Sequence, residues 1–310
     1  MALAVAGGGV FTGRGRLLER PQGPYEELFA EKGVAWHRRG DALIVSGRLE
    51  PGIYRLPGDV SSQFFTGLLY ALPLLPGPSR LESRTAMESA AYLTMTLEAL
   101  AAAGVPVTAG TVDGLAAYAI PGGGRYRLTD GAVEADWSQA AFFLTARLLG
   151  NPVEVTGLRA DSSQGDRVMA AFCRQLAGPG DLALDVRECP DLVPALALGA
   201  ALRDGRTTAL TGAARLRLKE SDRLAAIADV LGALGARVEE GPDFLRIQGV
   251  AALDGGTVSS HNDHRIAMMA AVAATRARGP VRIRGAEAVA KSYPDFWQVY
   301  EALGGRLQEV

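Results

Sequence analysis

The chain has 310 residues, more than one hydrophobic core usually organises, so two domains are the default expectation and a single large α/β domain the rival. Hydrophobic residues make up 48% and charged residues 21%, with 38 glycines, which excludes a disordered chain and implies many tight turns. A formal charge of −2 supplies no global field for nucleic acid or an anionic membrane, so an anion site has to come from locally clustered Arg and Lys.

The opening segment, MALAVAGGGVF, lacks the basic start of an export signal and reads as a short helix running into glycines. The most apolar stretch, Phe64 to Leu75, is interrupted by Pro73 and is shorter than the ~20 residues of a membrane span. Cys173 and Cys189 sit in unrelated contexts without ligand spacing, which argues against a disulfide framework or a zinc site and fits a reducing cytoplasm.

Along the chain one unit recurs: an apolar helix, a short strand ending in Gly, an amphipathic helix ending in GV or GA, then strands. The short strands read VFTG (10–13), SRLES (79–83), PVEVTG (152–157), TTALTG (207–212) and PVRIRG (280–285). The helices after them end in LFAEKGVAW, LEALAAAGVPV, IADVLGALGARVEE and YEALGGRLQEV, each with Gly where a left-handed cap is needed, and the copy around Phe172 to Gly178 is degraded. Strand pairs follow, ALIVSG with GIYRL, AAYAIPG with RYRL, and FLRIQG with GTVSS. Strands alternating with helices imply an α/β sheet-and-helix sandwich.

The opening helices begin at Ser61-Ser62-Gln63-Phe64, Trp137-Ser138-Gln139-Ala140, Pro190-Asp191-Leu192-Val193 and Asn262-Asp263-His264-Arg265. Each start taken singly reads first as an ordinary N-cap, with a ligand position as the alternative. Helix starts converging on one space would favour a polyanion, through unpaired N–H groups and positive dipole ends. In LRLKESDRLAAIADVLGALG, the spacing of Leu224, Ile227, Leu231 and Leu234 predicts a core-packed helix starting at Ser221 or a neighbour. Lys219 and Glu220 then lie at its mouth and Arg223 one turn inside, close enough for the three charges to meet. That cluster reads either as a solvated helix start or as a site for phosphate and proton chemistry.

KESDRL (219–224), NDHRIAM (262–268), GDVSSQF (58–64), AKSYPDF (290–296) and TGRGRLLERP (12–21) together resemble the 5-enolpyruvylshikimate-3-phosphate synthase family, the 3-phosphoshikimate 1-carboxyvinyltransferases. The resemblance covers residues 1–310 and leaves roughly the first quarter of a typical member without counterpart. It implies an α/β, two-domain enolpyruvyl transferase-like fold of repeated βαβαββ units, an inside-out α/β barrel with the site in the interdomain cleft. Residues 1–133 would be a partial N-terminal-side domain, of one incomplete and one complete unit, and 134–310 the C-terminal-side domain.

The activity implied is transfer of the enolpyruvyl group of phosphoenolpyruvate to the 5-hydroxyl of shikimate 3-phosphate, releasing phosphate, without metal or redox cofactor. By the same resemblance, Arg20, Lys219, Arg223, Arg265 and Lys291 hold phosphoenolpyruvate. Ser61, Ser62, Gln63, Ser89, Asp191, Arg215 and Lys219 hold shikimate 3-phosphate, with Tyr92 beside Ser89. Asp191 is the general base toward the 5-hydroxyl, and Lys219 and Glu220 deliver and remove the proton at the methylene carbon. Guanidinium groups suit this task because their planar forks match carboxylate and phosphate oxygens.

Two other readings stay open. One is a UDP-N-acetylglucosamine enolpyruvyl transferase, whose reactive cysteine would have to be Cys173 or Cys189. The other is a non-catalytic fragment, or half of a split enzyme paired with an N-terminal chain, since the family's Pro-Gly-Ser-Lys-Ser and Gly-Asn-Ser-Gly motifs do not occur here.

Overall fold

The computed structural model describes residues 1–13, 17, 19–127 and 130–309, in two compact units. The first comprises Met1–Val133 with Ser163–Gly165, and the second Glu134–Ser162 with Asp166–Val310.

In the first unit, α1 (Ala2–Ala6), β1 (Gly8–Thr12), α2 (Gly23–Glu31), β2 (Ala35–Arg39) and β3 (Ala42–Ser46) come first. They are followed by β4 (Ile53–Leu56), α3 (Ser62–Ala71), β5 (Ser79–Ser83), α4 (Ala90–Ala102), β6 (Thr108–Val112) and β7 (Leu115–Ile120). The second unit holds α5 (Trp137–Leu148), α6 (Met169–Ala177), β8 (Leu182–Asp185), α7 (Val193–Ala201), β9 (Thr207–Thr211) and α8 (Arg223–Ala233). It ends with β10 (Arg237–Glu240), β11 (Phe244–Gln248), β12 (Gly256–Ser259), α9 (His264–Ala274), β13 (Val281–Arg284) and α10 (Phe296–Ala302).

The sheets display the repeat directly. One runs β4-β5-β7-β6 and another β8-β9-β11-β10, each with a parallel first pair and antiparallel neighbours after it. The sheet β1-β3-β2 is antiparallel throughout, like the last three strands of that plan, and β12-β13 is a parallel pair, like the first two.

The sequence pairs the wrong strands in places. ALIVSG and GIYRL do not bond to each other: β3 lies between β1 and β2, whereas β4 joins the next sheet beside β5. FLRIQG and GTVSS part in the same way, since β11 bonds β10 and β9 while β12 bonds β13. The hairpins are β2–β3, β6–β7 and β10–β11, whose short connections suit antiparallel neighbours. PVEVTG (152–157) is extended in composition only and enters no ladder. Arg125 to Arg127 likewise form no strand, and Leu128 lies outside the described residues.

Helix ends follow capping chemistry. The expected glycines are left-handed, as at Gly104 (φ 78°) and Gly235 (φ 87°), where a residue with a Cβ is strained. Hydrophobicity decides which helices are central. The sequence VPALALGAA of α7 is apolar all round, so all nine of its residues are buried, packed among α5, α8 and α9. From His264 to Ala273, α9 is buried as well. The sheet β8–β11 covers α7, and β12 and β13 flank α8 and α9, which agrees with helices inside and sheets outside. Residues such as Phe142, Leu196, Leu231 and Ile266, wholly excluded from solvent, each contribute about 1.5–3 kcal/mol. The first unit has its own core, centred on Tyr54, Phe65, Leu68, Leu81 and Leu100.

Candidate active site

In the second unit, the loop before α8 and the starts of α7 and α9 bring five of the expected residues together. Asp222, the neighbour of Ser221, caps α8 by accepting from Ala225 N at 3.2 Å, which makes Arg223 the first helical residue rather than one a turn inside. The Arg223 side chain is 1% exposed and splits its donors three ways. Nε donates to Asp263 Oδ2 at 2.8 Å, Nη1 to Asp191 Oδ1 at 2.7 Å and Nη2 to Glu220 Oε2 at 2.6 Å. Burial alone would lower its pKa, but these three carboxylates raise it, so it stays charged.

Asp191 stands on a short turn, Pro190–Leu192, and the residue at the cap position of α7 is Leu192, so Asp191 is not its N-cap. Its other oxygen, Oδ2, receives Arg265 Nη2 at 3.0 Å, and Lys219 Nζ lies 3.8 Å from Oδ1. Burial pushes its pKa up, yet Arg265, Arg223 and Lys219 outweigh that and hold the carboxyl well below the usual range. Burial lowers the Lys219 pKa; Asp191 and Glu220 oppose that effect, and Arg223 and Arg215 reinforce it. Arg215 also donates Nη2 to the Arg187 carbonyl at 2.7 Å.

Asp263 caps α9 through Arg265 N at 2.9 Å and accepts Ser221 Oγ at 3.1 Å, so helix start and ion cluster share one carboxylate. Before it, His261 and Asn262 both take left-handed backbone, at φ 50° and 56°. Lys291 Nζ donates to the Asn262 carbonyl at 2.5 Å and its side-chain oxygen at 2.7 Å, which ties the AKSYPDF loop to the NDHR loop. Gln139 Nε2 reaches the Ser292 carbonyl at 2.7 Å, while the cap of α5 is Asp136 rather than Ser138.

In the first unit, Ser61 caps α3 by accepting from Gln63 N at 3.3 Å; Ser62 is buried and Gln63 exposed. Ser89 stands before α4 in left-handed backbone, 2% exposed. The two helices pack together, joined by the Thr66 and Thr96 hydroxyls at 3.0 Å. Arg20 is half-buried, and Arg14, Gly15, Arg16 and Leu18 of its motif lie outside the described residues.

Sequence reasoning missed Asp263 as a partner of Arg223 and did not single out the buried Asp166. A cap followed by His-Arg was the available signal for the former, and no local pattern marked the latter. Both thiols are unreactive by environment, since burial pushes Cys189 up to about 12 and Cys173 up to about 11. Among the described residues no group of three or more His, Cys, Asp or Glu is arranged to hold a metal ion, and no helix is long and apolar enough to cross a membrane.

The family described as EPSP synthase (3-phosphoshikimate 1-carboxyvinyltransferase) matches over residues 1–181 and 175–300. A 3-phosphoshikimate 1-carboxyvinyltransferase from Clostridium kluyveri is 42% identical, over 96% of this chain and 73% of its own length. One from Clostridioides difficile is 38% identical, over 100% of this chain and 74% of its own. An EPSP synthase structure from Acinetobacter baumannii superposes with TM-score 0.73 at 26% identity, over 97% of this chain and 74% of that one.

Proposed function

The chain belongs to the EPSP synthase (3-phosphoshikimate 1-carboxyvinyltransferase) family, and from that premise we propose that it joins the enolpyruvyl group of phosphoenolpyruvate to the 5-hydroxyl of shikimate 3-phosphate and releases phosphate. The observation that carries the reading is the ionised Asp191 gripped by Arg223 and Arg265 with Lys219 alongside. It joins a proton acceptor to cations suited to a phosphorylated carboxylate.

In this reading, Arg20, Lys219, Arg223, Arg265 and Lys291 hold phosphoenolpyruvate, and Ser61, Ser62, Gln63, Ser89, Asp191, Arg215 and Lys219 hold shikimate 3-phosphate. A carboxylate held as low as Asp191 is a weak base. An arriving phosphoenolpyruvate draws Arg265 and Lys219 toward its own oxygens, relieves Asp191 of part of their charge and raises its basicity. Asp191 then takes the 5-hydroxyl proton as the oxygen attacks the enolpyruvyl carbon, while Lys219 and Glu220 serve the methylene carbon in the addition and elimination steps. Cations fixed before the reaction stabilise the charge that develops on the departing phosphate.

We assign the two compact units to the two domains of the family fold, the first carrying one partial and one full βαβαββ repeat, and place the protein in the cytoplasm. The chain spans about three-quarters of the length of its relatives, 73% for the Clostridium kluyveri protein. The assay is therefore run on the chain by itself and with the remaining segment of a relative supplied as a complementing chain. The expected outcome is phosphate release from phosphoenolpyruvate that depends on shikimate 3-phosphate. Release that depends on UDP-N-acetylglucosamine instead sinks the reading.

A further inference from the structure

Beside the base lies a carboxyl that none of the motifs contains. Asp166 sits on the turn Gly165–Val168 ahead of α6 and is 4% exposed. Its Oδ2 accepts from Ser138 Oγ, while its Oδ1 is buried without a hydrogen-bond partner. Among the described residues, the groups that act most strongly on it are acidic or neutral apart from Arg265. Asp191 and Cys189 approach from the turn before α7, Asp136 from the start of α5, and Arg265 from α9 is the cation among them. The Arg265 Nε is likewise buried and unpartnered, since that side chain spends its other nitrogens on Asp191.

A carboxylate in this place is short of donors and close to another anion, so the charged form is costly and the neutral acid is favoured. Burial leads in raising its pKa to about 6, with the Asp191 charge adding to it and the Ser138 bond and Arg265 working against it.

We infer that Asp166 is a positioning residue for the base: it takes a proton from solvent onto its carboxyl when a polyanion enters the cluster, and as the uncharged acid it no longer competes with Asp191 and the incoming anion for Arg265. The inference rests on the proposed reading of this cluster as the phosphoenolpyruvate site. Adding negative charge beside Asp166 stabilises its neutral form further, so anion binding and proton uptake are linked, and each strengthens the other by the same factor. An ionised Asp166 instead competes with Asp191 for Arg265 and repels the incoming anion.

The test is calorimetric titration with phosphoenolpyruvate alone, so that no turnover occurs, in buffers of different ionisation enthalpy about one pH unit above the Asp166 titration. The protein is compared with Asp166→Asn, which cancels protons taken up or released by the ligand itself. The protein is expected to take up more protons per bound phosphoenolpyruvate than Asp166→Asn. Ser138→Ala, which removes the Ser138 hydroxyl donor to Asp166, should move that uptake to higher pH. Equal uptake in the protein and Asp166→Asn overturns the inference and leaves the site reading standing.

A ligand-free control separates the two. Because the folded-state pKa is raised, the protein loses stability relative to Asp166→Asn as pH rises from the ordinary carboxylate range through about 6, and the difference then levels off. Urea midpoints that show this difference, without any phosphoenolpyruvate binding, remove the site reading and the positioning role together.

Discussion

The frame that runs from β4 to β7 recurs from β8 to β11 with the same strand order and directions, yet corresponding junctions carry opposite chemistry. Leaving β4, the chain enters α3 through Ser61, Ser62 and Gln63; leaving β8, it reaches Asp191, gripped by Arg223 and Arg265. Leaving β5 it meets Ser89, and leaving β9 it meets Lys219, Glu220 and Arg223. Strand order fixes where a loop emerges, while a few side chains decide whether that loop offers hydroxyls or charges. The hydroxyls of the first frame cost little to hold in place. The charged junctions have to be cross-braced, because a buried ion without its partner is expensive.

Substitutions can break this contrast. The largest effect is expected from Asp191→Asn, which keeps the shape and removes the proton acceptor, lowering kcat about 10²–10⁴-fold in the phosphate-release assay. A kcat unchanged within about twofold takes the base away from the second frame. The same variant has a pH signature. The Asp191 carboxyl is depressed, so its contribution to stability is present above the ordinary carboxylate range and is lost as pH falls toward its folded value. Acid unfolding of Asp191→Asn should lack that part of the decline.

Next comes Arg223→Met, which takes a buried cation away from Asp191, Glu220 and Asp263 and should cost about 3–5 kcal/mol in urea unfolding. A loss near the ~0–1 kcal/mol of a surface ion pair shows that the junction is not braced in this way. The smallest effect is expected in the first frame, where Ser61→Ala removes the α3 cap at a cost of about 1 kcal/mol. A larger loss makes the hydroxyl junction as structural as the charged one and sharpens the comparison in the opposite direction.

How much of this was legible follows from the range over which each feature is determined. Helix ends at Gly104 and Gly235, the apolar α7 and the strands β5, β9 and β13 are set by short windows of sequence, and reading them needed nothing more. Strand partners are set elsewhere. PVEVTG has the branched residues of a strand but no ladder to join, and GTVSS was assigned to the hairpin before it when its partner is β13, a full helix later. The meeting of Lys219, Glu220 and Arg223 was visible from helical spacing. The two contacts that fix Arg223, to Asp191 and Asp263, lie 32 and 40 residues away and follow only from packing α7, α8 and α9 side by side. Asp166 stayed hidden for the same reason, since its neighbours Ser138, Asp191 and Arg265 come from three separate stretches.

The threefold attachment of Arg223 also bears on how such a protein can change. A residue that braces three carboxylates cannot be varied for ligand choice alone, because any replacement is felt first as lost folded protein. Room for altered preference lies with cations anchored to backbone carbonyls instead, Arg215 on Arg187 and Lys291 on Asn262, where a substitution disturbs one loop and leaves the buried junction intact.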